Sequence, residues 1–252
     1  MENRKIALVT GGSRGLGRDM AINIARKGLD VVITYHTNKE AASSVLAEIE
    51  KTGRKGHALQ LDTSDVATFS TFYQELSNVL KAEFNTSHFD YLINNAGTGL
   101  YGTVADTTEE QFDDMLNIHF KGVYFLTQKA LPLLNDGGGI VNISSGLARF
   151  SFPGFSAYAS MKGAIEVYTR YLAKELGAKQ INANVVAPGA VATDFAGGAN
   201  RDGDRKEVIA SVTALGRVGE AEDIGSIVAF LCTEDAHWIT GQRIEASGGT
   251  LI

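Results

Sequence analysis

The sequence predicts an α/β fold: a doubly wound parallel sheet of about seven strands with helices on both faces, in a single domain over residues 1–252. Three observations lead there. Short apolar runs without polar alternation recur along the chain, as strands buried on both faces require. Segments with apolar residues three and four apart separate them, so strands and helices alternate. A glycine-rich turn, Thr10-Gly11-Gly12-Ser13-Arg14-Gly15-Leu16-Gly17, joins the first apolar run to the first helical pattern.

In order, residues 5–9 are the first strand, and Met20, Ile22, Ile24 and Ala25 carry the helical pattern after the turn. Residues 30–35 are β-rich. Residues 40–51 have helical spacing through Ala41, Val45, Ala47 and Ile49, and Gly53 ends them. A short third strand covers 56–61. The helix over 65–82 places Phe69, Phe72, Leu76 and Leu80 on one face. Residues 90–94 are the fourth strand. Thr108-Glu109-Glu110-Gln111 is a capping box that starts a long helix. This helix is expected to run to about residue 134, with Phe112, Met115, Leu116 and Phe120 facing inward. A fifth strand (139–143), a helix from about 157 to 176, a sixth strand (180–187), a helix over 222–232 and a last strand (243–246) complete the pattern.

Bulk properties narrow the classes. The chain has 252 residues, 44% of them hydrophobic, and a net charge of −6, which argues against nucleic acid and anionic membrane as main partners. No apolar run approaches the roughly 20 residues of a membrane span, and residues 1–5 carry no signal-peptide core. Cys232 is the only cysteine. It excludes an intrachain disulfide, fits a cytoplasmic location, and reads as a buried thiol within an apolar helix. No metal site is expected.

The chemistry concentrates at Tyr158-Ala-Ser-Met-Lys162. Residues four apart share a helix face, and an ammonium beside a phenol favours the phenolate, so the Tyr158 pKa is expected to fall. Such a phenol can give a proton to a carbonyl oxygen or take one from an alcohol. Ser145, just past the fifth strand, can hydrogen-bond the same oxygen; Ser144 is the alternative. At the other end of the chain, a strand, a glycine turn and a helix N-terminus make a cradle for a pyrophosphate. Its spacing is G-x3-G-x-G, not the general dinucleotide fingerprint.

Together, Thr10-Gly11-x3-Gly15-x-Gly17, Asp62, Asn94-Asn95-Ala96-Gly97, Asn117, Ser145, Tyr158-x3-Lys162, Pro188-Gly189 and Thr193 resemble the short-chain dehydrogenase/reductase superfamily. The likeness is to its compact branch, such as 3-oxoacyl-carrier-protein reductases and glucose dehydrogenases. The resemblance covers nearly the whole chain and implies a Rossmann fold and hydride transfer between a nicotinamide and a carbonyl or secondary alcohol. It implies Tyr158 as acid/base and Lys162 as the residue that tunes it and holds the nicotinamide ribose. Ser145 then polarises the carbonyl, and Asn117 holds a water that links Lys162 to solvent. Gly11, Ser13, Arg14, Gly15, Leu16, Gly17, Asp62, Asn95, Ala96, Gly97, Pro188, Gly189 and Thr193 are expected at the cofactor.

Cofactor choice follows from the end of the second strand. An NAD site usually carries an acidic residue there for the ribose diol; this chain has Tyr35-His36-Thr37. With Arg14 in the glycine turn and His36 and Thr37 able to add hydrogen bonds, NADP(H) is favoured over NAD(H). Residues 193–214 read as a substrate lid, and Arg149, Phe152, Phe155 and Phe195 as substrate-pocket residues. Family members are commonly tetramers, so a homo-oligomer, tetramer or dimer, is expected. A cofactor-binding regulator without turnover is the rival reading.

Overall fold

Strand β1 (Ile6–Val9) shows why the chain layers as it does: Ala7 and Val9 pack into one apolar cluster, Ile6 and Leu8 into another on the opposite face. Successive strand side chains point to opposite faces, so a strand apolar at every position needs a cover on each. The computed structural model describes residues 4–198, 200, 201 and 203–252. Residues 1–3 and positions 199 and 202 of the expected lid lie outside the described residues.

The other strands are β2 (Asp30–Tyr35), β3 (Gly56–Gln60), β4 (Phe89–Asn94), β5 (Leu134–Ile143), β6 (Asn182–Pro188) and β7 (Arg243–Ala246). All pair in parallel, in the order β3-β2-β1-β4-β5-β6-β7. The first cluster is covered by α1 (Gly15–Arg26), α2 (Lys39–Lys51) and the helix over Glu222–Leu231. The second is covered by α3 (Phe69–Phe84), Gly122–Ala130 and Ser156–Leu176. Burying each large apolar side chain, such as Leu8, Met20 or Phe69, contributes about 1.5–3 kcal/mol. The chain is thus a single Rossmann-like domain with a seven-stranded parallel sheet. The strand order reverses between β1 and β4, where such sheets open a crevice at their carboxyl edge.

The expected long helix is divided. Helix α4 (Glu109–Leu116) follows the Thr108 capping box, a π turn occupies Asn117–Lys121, and α5 (Gly122–Ala130) continues. A 3-10 turn over Leu131–Leu133 then ends it. Pro132, which lacks an N–H, sits at the start of that turn. Strand β5 therefore begins at Leu134, five residues earlier than the apolar run suggests, and Leu134 pairs with Phe89 across a register shift.

Phe112 does not face inward: it is 42% exposed, because the short α4 packs through its last turn, Met115, against Ala157, Tyr158 and Met161. Helices α6 (Ser156–Leu176), α7 (Asp204–Ser211) and α8 (Glu222–Leu231) complete the set. Cys232, at the end of α8, is buried, and burial pushes its thiol pKa up. No described helix is long and apolar enough to cross a membrane, and no cluster of metal-ligating side chains occurs among the described residues.

Candidate active site

One cavity of about 780 Å³ runs along the carboxyl edge of the sheet, from the glycine turn through Asn95, Ala96 and Gly97 to Ser145, Tyr158 and Lys162. The first wall is built by Thr10. Its Oγ1 accepts the N–H groups of Asn95 and Ala96, each at 3.0 Å, and Asn95 Nδ2 returns a bond to Thr10 O at 2.9 Å. This fastens the end of β1 to the end of β4.

Gly11 has φ +64°, and a Cβ there would lie 2.9 Å from Ala96 Cα; one on Gly17 would lie 2.2 Å from Gly11 O. Neither position can carry a side chain without dismantling the turn. Arg14 precedes α1 with extended backbone, and among the described residues no side chain caps the first amides of that helix. Those amides and the positive helix end suit a diphosphate, so the residues present fit a dinucleotide. Ser13, Arg14, Gly15 and Leu16 all line the cavity at this end, as do Pro188, Gly189 and Thr193 further along.

His36 and Asp62 also line the cavity, but as a pair: His36 Nε2 lies 3.5 Å from Asp62 Oδ2. Asp62 Oδ1 accepts the N–H and hydroxyl of Ser64. Thr37 is exposed and is not among the cavity-lining residues.

At the other end, β5 delivers two serines with different surroundings. Ser144 is buried and donates to Glu166 Oε1 at 2.8 Å. Ser145 is half-buried and its Oγ accepts the N–H of Leu147 at 3.2 Å, which leaves its hydroxyl proton for another acceptor. The backbone carbonyl of Ser145 takes a bond from Arg243 Nη2, and Arg243 Nε donates to Glu166 at 2.6 Å. The two serines thus sit on an ionic network whose far members are Glu245 and Arg149.

Tyr158 and Lys162 are both buried on α6. Lys162 Nζ donates to Ile143 O at 2.7 Å and lies 5.5 Å from the centre of the Tyr158 ring. The expected lowering of the Tyr158 pKa is not found. Burial pushes the phenol above its ordinary value, and the nearby Ser145 hydroxyl offsets this in part. Burial also pushes Lys162 down to about 7, so the charge that would favour a phenolate is itself weakened. Desolvation outweighs proximity in this arrangement.

Asn117 opens the π turn, its carbonyl accepting the N–H of Gly122, and it does not line the cavity. The side chain that the turn brings to Tyr158 is His119, whose ring meets the tyrosine edge to face at 5.0 Å. No periodicity marks this histidine. The one signal in the sequence is a polar ring between two apolar neighbours, Ile118 and Phe120.

Beyond Tyr158 the cavity is walled by aromatic rings: Tyr101 and Phe155 at 5.6 Å, Phe150 and Phe152 at 5.8 Å, and Phe195 at 5.9 Å from Tyr158. The expected substrate residues Phe152, Phe155 and Phe195 are therefore on the cavity. Arg149 is not. Its guanidinium makes two 2.7 Å bonds to Glu245 and holds the carbonyls of Thr250 and Leu251, so it ties down the C-terminal segment. The arginine at this end of the cavity is Arg205 on α7, stacked 5.7 Å over Phe155.

Residues 11–250 match the family model described as enoyl-(acyl carrier protein) reductase. A hydroxynaphthalene reductase-like protein of Metarhizium brunneum is 34% identical over 98% of this chain and 95% of its own length. Among solved structures, the promiscuous reductase LugOII, which catalyses keto-reduction at C1 in lugdunomycin biosynthesis, is 38% identical. It superposes with a TM-score of 0.93 over 98% of both chains. The landomycin C-6 ketoreductase LanV, solved with bound NADP and rabelomycin, is 36% identical with a TM-score of 0.89, covering 98% of this chain and 96% of its own.

Proposed function

The chain belongs to the short-chain dehydrogenase/reductase superfamily of oxidoreductases, and from that premise we propose that it is an NADP(H)-dependent ketoreductase for carbonyls carried on fused aromatic rings. The observation that carries this reading is the convergence of Ser145, Tyr158 and Lys162 on one cavity that begins at a glycine cradle and ends in a ring of aromatic side chains. The nicotinamide, when bound, supplies the hydride. Tyr158, held as a neutral phenol by its burial, gives its proton to the carbonyl oxygen. Ser145, whose hydroxyl stands beside the same phenol, hydrogen-bonds the same carbonyl oxygen. Lys162 stands behind Tyr158 as the group that restores the proton, its pKa near 7 suited to exchange with solvent.

Arg14 is the residue for the 2′-phosphate, since a guanidinium matches phosphate geometry and no acidic residue ends β2. The aromatic walls suit a flat, fused-ring ketone, and the hydroxynaphthalene reductase-like relative supports that class by its name. Phe195 and Arg205 belong to the proposed lid over residues 193–214. A homo-oligomer is the assembly we expect from the family, and light scattering would size it. The test of substrate class is the rate of NADPH oxidation with fused-ring ketones against 3-oxoacyl thioesters. Preference for the thioesters would overturn this reading of the cavity.

A further inference from the structure

His119 is 1% exposed, lies in the π turn between α4 and α5, and belongs to no part of the acid/base scheme above. Its Nε2 lies 2.7 Å from Thr98 O and 3.4 Å from Thr98 N; the carbonyl oxygen can only accept and is the nearer partner, which places the proton on Nε2. Its Nδ1 is then a bare acceptor, and it is one of two buried side-chain polar atoms without a partner among the described residues. An unpaired buried acceptor costs about 1–3 kcal/mol, so an apolar residue would be the more stable filling unless the other nitrogen has a purpose.

The backbone is adapted to the ring on two sides. A Cβ on Gly97 would lie 2.6 Å from His119 Cε1, so the loop after β4 closes directly onto the imidazole. A Cβ on Gly122 would lie 2.0 Å from Thr63 O, which fixes glycine at the end of the π turn that turns His119 inward. Single π turns of this kind mark functional sites more often than chance. Burial and the neighbouring Lys162 charge push the His119 pKa down to about 3, so the ring stays neutral and does not compete with Lys162 for a proton.

We propose that His119 is a positioning residue: its Nε2–H clamps the Thr98 carbonyl, and its ring edge fixes the Tyr158 phenol against the cofactor loop. The clamp joins the loop that carries Asn95, Ala96 and Gly97 to the acid/base side chain, so both ends of the reacting geometry move together. A misplacement of about 1 Å at such a point lowers turnover on the order of a hundredfold. The inference rests on the reductase reading.

The test compares His119→Phe, which keeps an edge-to-face ring and removes both nitrogens, with His119→Gln, whose side-chain amide can still donate to Thr98 O. His119→Phe is expected to keep its melting temperature and KM while kcat falls roughly ten- to hundredfold, and His119→Gln to recover most of that loss. A histidine that merely fills space gives the opposite pattern, with wild-type kcat in folded His119→Phe, and overturns the proposal. Imidazole nitrogen NMR on the wild-type protein adds a readout independent of turnover and of the folding of any variant. An Nε2-protonated ring that stays neutral to about pH 5 is expected; a proton on Nδ1 overturns the clamp. Tyr158→Phe in parallel separates the two readings. If that variant is inactive while His119→Phe is not, the clamp alone fails; if Tyr158→Phe is fully active, the reductase reading fails.

Discussion

Lys162 gives its hydrogen bond to the carbonyl of Ile143, at 2.7 Å, although Tyr158 stands one helical turn before it on the same face. The lysine is therefore anchored to the end of β5 and buried, and its pKa falls to about 7 by desolvation.

That burial has a thermodynamic sign. A lysine titrating near 7 when folded and near ~10.4 when unfolded leaves the unfolded chain with the extra proton between those values. Stability from this group therefore rises with pH across that window and is lowest below about pH 7. Lys162→Met should raise the melting temperature of the cofactor-free protein at pH 6, by less at pH 10, while abolishing turnover. Thermal unfolding at both pH values checks it; a lower melting temperature at pH 6 contradicts it.

Ser144 and Ser145 should separate cleanly. Ser145→Ala removes the hydroxyl at the cavity, and kcat should fall about a hundredfold or more, while stability falls only by about 0.5–2 kcal/mol, the contribution of the Leu147 cap. Ser144→Ala removes a donor from Glu166 in a buried position and should cost about 1–3 kcal/mol with a smaller effect on kcat. Paired kinetics and urea denaturation decide it.

Glu245 is held down to about 2 by the Arg149 bond, opposed by its burial and helped by Arg243 and Ser247. A depressed carboxylate stabilises the fold above its unfolded pKa, and that contribution is lost as pH falls from about 4 through 2. Glu245→Gln should therefore lose stability most at pH 7, and the gap to wild type should close on acidification. Substrate KM measured on Arg149→Met should stay near the wild-type value once the lower stability is allowed for, because Arg149 lies off the cavity.

Arg14 should govern cofactor choice. Arg14→Ala is expected to weaken NADPH binding about tenfold or more and NADH binding little, since a charge-assisted contact to phosphate is worth roughly 1.5–3 kcal/mol. Fluorescence titration with both cofactors reads this. Equal losses would move the preference to His36, which is held beside Asp62.

The sheet, its order of elements and the glycine cradle were legible in the sequence because local patterns dictate them: Ile6 to Val9 must be covered on both faces, and Gly11 and Gly17 mark a close approach. What failed to show depends on partners distant in the chain. Arg149 looks like a pocket arginine until Glu245, 96 residues on, is placed against it. Helical spacing reveals the Lys162 charge beside Tyr158 but not the depth at which both are buried, and that depth sets the direction of the Tyr158 shift. The π turn leaves no spacing signature, so the sequence points to Asn117, while the side chain beside Tyr158 is His119 two residues later. Phe112 followed the apolar period, yet α4 is too short for its first turn to reach a neighbour.

The most direct measurement is the initial rate of NADPH oxidation with a fused-ring ketone for wild type and Tyr158→Phe, alongside NADPH binding to each. Unchanged binding and a loss of roughly 10²–10⁴-fold in rate are expected for Tyr158→Phe. Near-wild-type turnover by that variant would contradict the acid/base role of Tyr158.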